Sequence, residues 1–348
     1  MSDAFVGVLA GHYRSAMLTL MIDLGHRTGL FMAATEGPAT SQELADRAGL
    51  SERHVREWLG ALTTGGIIEH DPETDRYSLA AERAAFLTGG HPLNLAPMSA
   101  FVTELARHVG PVAETFRTGG GLPYSAYAPE FTTLSDTGSR TRFDASLVDG
   151  YLAAPDGLRD RLEAGVAVAD VGCGTGHAVN VMARAFPRSQ FTGYDLSEAA
   201  IGRARAEAEA WSLDNARFEV RDALDLPVDR DLALVTAFDT VHDQADPAGL
   251  LRRIREALAP DGVFLMVDIK AASTVDANLG HPMGPWLYGI SVLHCMQVSL
   301  AAGGAGLGTV WGEQLARRML AEAGFGEVKV TSVAGDRVNL VYVATPAG

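Results

Sequence analysis

At 348 residues the chain is long enough for two domains, and its 47% apolar and 20% charged content describes a globular protein with an ample core. The formal net charge of −15 argues against a nucleic-acid or anionic-membrane partner. Two cysteines, Cys173 and Cys295, exclude a disulfide scaffold and suit a reduced, cytoplasmic setting. The N-terminus lacks the ordered regions of a signal peptide, and no apolar run approaches the roughly 18 residues of a membrane span without a charge or turn signal.

Apolar residues at helical spacing (Val6, Leu9, Tyr13, Met17, Leu20, Met21, Leu24) predict one or two helices over 4–33. Thr40-Ser41-Gln42-Glu43 is a capping box that opens a short helix through Ala48, and Gly49 ends it. Ser51 caps a second helix with an apolar face of Val55, Leu59 and Leu62. Ile67–His70 and Arg76–Leu79 follow as two short strands, so 1–87 reads as a mainly helical winged-helix domain. A DNA-reading helix presents basic residues to phosphates. Here Arg53 and Arg56 are offset by Glu52 and Glu57, so the domain is expected to serve structure or dimerisation.

Residues 88–160 read as a helical connector, broken by Pro92, Pro97, Pro111, Pro123 and Pro129, with a helix over Leu95–His108. Its Gly119–Tyr127 loop carries Tyr124 and Tyr127, two aromatics expected to close as a lid. From 161 to 348 strands alternate with helices, which predicts a doubly wound α/β sheet. The strands are Val166–Val171, Phe191–Asp195, Arg217–Val220, Leu232–Ala237, Val263–Asp268, Glu327–Val333 and Asn339–Ala344. The last two pair through a hairpin at Ala334–Arg337.

The first of these strands runs into Gly172-Cys173-Gly174-Thr175-Gly176 and then a helix over Ala178–Phe186. Such a turn needs backbone freedom, lets a ligand lie on bare backbone, and offers free helix N–H groups. Cys173 reads as a small residue that fits the turn. The G-x-G-x-G spacing is neither a dinucleotide fingerprint nor a P-loop. Asp195 ends the next strand, where an acid takes the two hydroxyls of a ribose. Asp222 follows the third strand, on the adenine side. These three features resemble the class I S-adenosylmethionine (SAM)-dependent methyltransferases over about 162–344. The resemblance implies a Rossmann-like sheet and a SAM site formed by Asp170, Gly172, Gly174, Gly176, Asp195, Leu196, Asp222, Ala223 and Phe238. With an N-terminal winged helix, it also implies a homodimer acting on a small molecule.

The acceptor side begins after the fourth strand, at Phe238-Asp239-Thr240-Val241-His242-Asp243-Gln244. Ligands of such sheets bind beyond the strands' carboxyl ends. His242 has two readings: a general base whose other nitrogen is oriented by an acid, or, with Asp243, a metal ligand. A two-histidine-one-carboxylate site needs a second histidine. Residues 271–311 are poor in secondary-structure signals and supply His294 on an apolar helical stretch. Trp286, Tyr288 and Met296 are candidate pocket walls.

The His-Asp pair, the later His294-Cys295-Met296 and the winged helix resemble the metal-dependent C-methyltransferases of α-keto acids. That implies a non-haem iron or zinc held by His242, Asp243 and His294, and an enolate as nucleophile. Metal-bound hydroxide, Asp239 or a tyrosine such as Tyr127 would take the β-proton. The alternatives are a metal-free O- or N-methyltransferase with His242 as base and, from another class, a winged-helix regulator that binds a ligand without catalysis.

Overall fold

In the computed structural model, which describes residues 2–89, 94–229 and 231–347, the helical spacing of the first residues becomes one long helix, α1 (Ser2–Arg27). Leu18, Met21 and Ile22 pack on the core of the N-terminal unit. Phe5, Val6, Val8, Tyr13 and Met17 are exposed. The expectation that no apolar run is long enough to span a membrane is corrected here. Ala4–Arg27 has a mean hydropathy of 1.3 and sufficient length, although His12 and Arg14 interrupt it and it is not buried.

Helices α2 (Leu30–Ala34), α3 (Ser41–Ala48) and α4 (Glu52–Thr64) follow, then strands β1 (Glu69–Asp71) and β2 (Arg76–Ser78) as an antiparallel wing. The capping box forms: Glu43 N–H donates to the Thr40 hydroxyl and Thr40 N–H to the Glu43 carboxylate, at 3.2 and 2.9 Å. Arg76 of the wing pairs with Glu43 at 2.8 Å. Ser51 occupies the N-cap of α4 but its side chain makes no capping bond. Arg56 and Arg53 are held by Glu52 and Glu57 one turn away, so both cations of α4 are already paired. Short helix α5 (Ala81–Ala84) and α6 (Ala96–Ala106) complete the unit.

The chain forms two compact units, Met1–Arg107 and His108–Gly348. The connector splits because Pro97, Pro111 and Pro129 mark helix starts rather than breaks in one segment. They lie at the beginnings of α6, α7 (Val109–Thr118) and α8 (Glu130–Ser146). Pro92 lies outside the described residues.

The second unit continues with a π-helical turn (Leu147–Tyr151) and α9 (Leu158–Ala164). Then β3 (Ala167–Val171), α10 (His177–Ala185), β4 (Gln190–Asp195), α11 (Glu198–Ala210), β5 (Ala216–Val220), β6 (Leu232–Phe238), α12 (Pro247–Ala257) and β7 (Leu258–Ile269) alternate. After α13 (Val275–Asn278), α14 (Gly284–Ile290), α15 (Met296–Ala301) and α16 (Gly312–Glu322), the chain ends in β8 (Phe325–Thr331) and β9 (Asn339–Pro346). The sheet order is β5-β4-β3-β6-β7-β9-β8, parallel up to β7, with β9 inserted antiparallel between β7 and β8. Alternate residues of each strand fill opposite faces. Val168, Leu234, Leu265 and Val267 pack with α10 and α11 residues, and Ala169, Val235, Phe264 and Met266 with those of α12 and α16.

The stretch poor in secondary-structure signals is largely helical, and His294 lies in a helical run as expected. A π-helical turn at Ser291–Cys295 joins α14 directly to α15. Gly284 and Pro285 are the first two residues of α14, where a proline is tolerated, and Gly280 and Pro282 lie in the turn before it. The chain order reverses at β3, whose neighbours are β4 and β6, so the turns after β3 and β6 lie side by side at the carboxyl edge.

Candidate active site

The donor side is made of backbone. Gly172, Gly174 and Gly176 all have left-handed backbones, with φ of +68°, +54° and +74°. A Cβ at Gly172 would stand 2.1 Å from the Thr240 hydroxyl, and one at Gly176 2.4 Å from Ala204, whereas at Gly174 it would meet open space. The outer glycines permit close packing of the acceptor loop and α11, and the middle one leaves a cradle for a ligand. Gly172 and Cys173 N–H both donate to the Tyr194 carbonyl, at 2.8 and 3.0 Å. Half-buried Cys173 fits against Gly193, where a Cβ would lie 2.8 Å from its sulfur.

Asp195 ends β4. It accepts Gly174 N–H at 2.9 Å on one oxygen and Ser197 N–H at 2.8 Å on the other. Burial raises its carboxyl above the ordinary range, while those N–H donors oppose the shift. Each oxygen keeps a lone pair for a ribose hydroxyl. Asp222 accepts Leu224 N–H at 2.9 Å, next to buried Ala223, and Leu196 is exposed. Asp170 lies inside β3, buried, where it accepts the Thr236 hydroxyl at 2.6 Å; burial pushes its carboxyl up to about 7. Phe238 packs edge-on against Phe143 at 5.0 Å. The open cradle at Gly174 and the two acids beyond β4 and β5 fit a nucleoside ligand.

The acceptor side is made of buried side chains. His242 sits in a 3-10 turn (Val241–Asp243) at the end of β6 and is 3% exposed. Its Nδ1 lies 2.8 Å from Asp268 Oδ1, and Asp268, fully buried at the tip of β7, also accepts Ile269 N–H at 2.7 Å. Its Nε2 lies 3.4 Å from Asp243. Burial works against a charged ring, but Asp268 and Asp243 outweigh it and hold His242 well above the ordinary histidine range. Burial likewise raises the Asp243 carboxyl.

The expected ligand triad does not assemble. Among the described residues, the candidate ligand atoms within 4.8 Å of one another belong to His242, Asp243 and Cys295. His294 is turned into a ring cluster, stacked on Phe131 at 3.7 Å and edge-on to Tyr127 at 4.6 Å. Burial there, then repulsion from His242, pushes it down to about 3, so it is a neutral ring. Burial pushes the Cys295 thiol up to about 11, leaving it protonated at neutral pH.

Two further expectations change. Tyr127 is a core residue, fully buried, with its hydroxyl donated to the Leu293 carbonyl at 2.6 Å, and so neither a lid nor a base. Tyr124 is half-buried, shares a hydrogen bond with Thr132 at 2.8 Å, and faces His294 edge-on at 6.0 Å. Asp239 is engaged by Arg142 of α8 at 2.6 Å and by the Asn339 amide at 2.5 Å, and its backbone is left-handed at φ +52°. That carboxylate anchors the loop and is not free to take a proton. Trp286, Tyr288 and Met296 are half-buried.

The residues that sequence reasoning missed are Asp268, Arg142, Asn339 and Cys295. Asp268 had a signal, an acid ending an apolar strand. The others depend on packing between distant segments.

Residues 16–89 match the family model of the Rv2258c-like winged HTH domain, and residues 162–324 that of a methyltransferase domain. The chain therefore carries a winged HTH domain followed by a methyltransferase domain on a Rossmann-like sheet. It is 37% identical over 98 residues to trans-aconitate 2-methyltransferase of Variovorax paradoxus (strain S110), 28% of this chain and 36% of that protein. It thus spans about a third of that relative's length. Over 327 residues it is 25% identical to the tetracenomycin polyketide synthesis 8-O-methyl transferase TcmO of Streptomyces glaucescens, covering 88% of this chain and 87% of that one. Its fold matches that of human N-acetylserotonin methyltransferase in complex with SAM, at a TM-score of 0.72 and 16% identity, over 99% of this chain and 98% of that chain.

Proposed function

We propose that the chain is a SAM-dependent O-methyltransferase of a small hydroxylated molecule, with His242 as general base and Asp268 as the acid that orients it. The hydrogen bond between His242 Nδ1 and Asp268 carries this reading. It fixes the tautomer with the proton on Nδ1, which leaves the Nε2 lone pair to take the proton of an acceptor hydroxyl. Asp268 then stabilises the imidazolium. SAM, when bound, supplies a methyl group on a sulfonium and departs as a neutral thioether, so the chain needs no acid for the leaving group. Gly174, Asp195 and Asp222 are the residues expected to hold it. The full-length relative TcmO, named for O-methyl transfer, supports the oxygen acceptor.

A second reading rests on one observation: Asp243 Oδ1 is buried without a hydrogen-bond partner, beside His242 and Cys295. A cation taken up there would favour metal-assisted C-methylation of an α-keto acid. Labelled methyl transfer from SAM to parallel panels of phenols, alcohols and α-keto acids, with elemental analysis of the purified protein, separates the two. Transfer to oxygen without stoichiometric iron or zinc is expected. Transfer only to α-keto acids by metal-loaded protein overturns the first reading.

We read α1 as the contact between two copies of a cytoplasmic chain, because Phe5, Val6, Val8, Tyr13 and Met17 leave an exposed apolar surface interrupted by His12 and Arg14. Sedimentation of detergent-free protein at twice the chain mass is expected. Recovery in the membrane fraction contradicts it.

A further inference from the structure

A cluster of charged and hydroxyl side chains surrounds the donor loop without touching the acceptor chemistry. Asp136 of α8 is buried at 8% exposure and receives three donors: the Thr175 hydroxyl and Arg140 Nε on one oxygen, the latter at 2.9 Å, and Arg203 Nη2 on the other at 2.7 Å. Thr175 is the buried residue between Gly174 and Gly176, and Arg203 belongs to α11, the helix that follows Asp195. Arg140 continues the cluster to Glu207 of α11, which accepts the Asn180 amide at 2.9 Å and lies 3.1 Å from His177.

Burying a carboxylate costs free energy that apolar packing would avoid, so a carboxylate with three donors needs a reason beyond holding α8 on the sheet. The loop supplies one. Its three glycines take left-handed backbones without strain, but they also lose the most conformational freedom on ordering, so the turn needs tethers to hold one shape. One tether is Asp195, through Gly174 N–H, but Asp195 is also the acid expected to receive the ribose. The Thr175–Asp136 bond has no such second duty, and it comes from an element outside the strand-turn-helix motif.

We propose that Asp136 is a positioning residue for the methyl donor. Through Thr175 it holds the Gly172–Gly176 turn in its binding shape before SAM arrives, so donor affinity depends on one hydroxyl-to-carboxylate bond. The proposal rests on the assignment of SAM to this loop.

Calorimetric titration of the full chain with S-adenosylhomocysteine tests both statements separately. Wild-type protein binds it, Thr175→Ser keeps wild-type affinity, and Thr175→Val, nearly the same shape, loses about tenfold, the size of one hydrogen bond to a charged group. Asp136→Asn keeps an oxygen that can accept the hydroxyl but removes its charge, so it loses less than Thr175→Val, and adding it to Thr175→Val costs little more, since that bond is already gone. Melting temperatures report fold separately. If Asp136→Asn does not fold, the Ser/Val pair decides alone, because Asp136 keeps both arginines in each. Wild-type affinity in Thr175→Val overturns the positioning proposal while leaving SAM in place. No binding by the wild type overturns the SAM assignment and this proposal with it.

Discussion

The two halves of the site are built from different materials. The donor side is a turn of five residues shaped by its glycine backbone, and the two acids read with it stand at the ends of adjacent strands. The acceptor side is a set of largely buried side chains drawn from the turn after β6, β7, β9, α8 and the π turn, with His242 held by Asp268 and Asp239 by Arg142 and Asn339. A backbone site tolerates most side-chain changes except at its glycines. A site of mutually satisfied buried charges fails when one member is removed, because the partner is left unpaired.

The comparison breaks most directly at His242. His242→Ala should lower methyl transfer by about 10²–10⁴-fold, the usual worth of a general base, and leave S-adenosylhomocysteine affinity unchanged by calorimetry. Asp195→Ala should do the reverse, weakening S-adenosylhomocysteine by about 10–100-fold through lost hydrogen bonds to a charged group. A His242 variant that loses donor binding as well would mean the two sides are not separable.

Arg142→Met tests the interdependence of the acceptor side. It strands Asp239, whose carboxyl burial already raises and Arg142 lowers, and should cost about 2–3 kcal/mol in denaturant unfolding. An unchanged midpoint would show that Asn339 alone holds Asp239.

The smallest effect is a displacement along the pH axis. Because Asp268 and Asp243 raise His242, the base is protonated at low pH and kcat/KM should climb as pH rises through a midpoint above the ordinary histidine value. Asp268→Asn removes one of those charges, lowers the histidine, and should move that midpoint down by about one unit. A midpoint that stays fixed would assign the titration to another group.

Legibility in the sequence follows the same division. The glycine turn, the places of Asp195 and Asp222 after their strands, and all seven strands were readable because backbone turns and buried strands need particular residues at short, fixed spacings. The sheet order, with β9 inside β8, matches the hairpin at Ala334–Arg337. The turn that carries His242 was readable from its place after β6. The histidine's partner Asp268 lies 26 residues on, and Arg142 lies 97 residues before Asp239, so no local spacing links them. His294 lies apart from the group formed by His242, Asp243 and Cys295, stacked on Phe131. A π turn shifts the helical register by one residue, and periodicity along Ser291–Cys295 does not reveal it. Tyr127 is also placed by packing: a glycine-rich loop looks mobile, but this tyrosine finds a backbone acceptor in the core.

The central claim is that His242 and Asp268 perform the proton transfer unaided. It is tested most directly by the rate of labelled-methyl transfer from SAM to hydroxylated acceptors after exhaustive dialysis against a chelator. An unchanged rate in chelated protein, lost in His242→Ala, is the predicted result. A rate that falls to background on chelation and returns with added iron or zinc would contradict it.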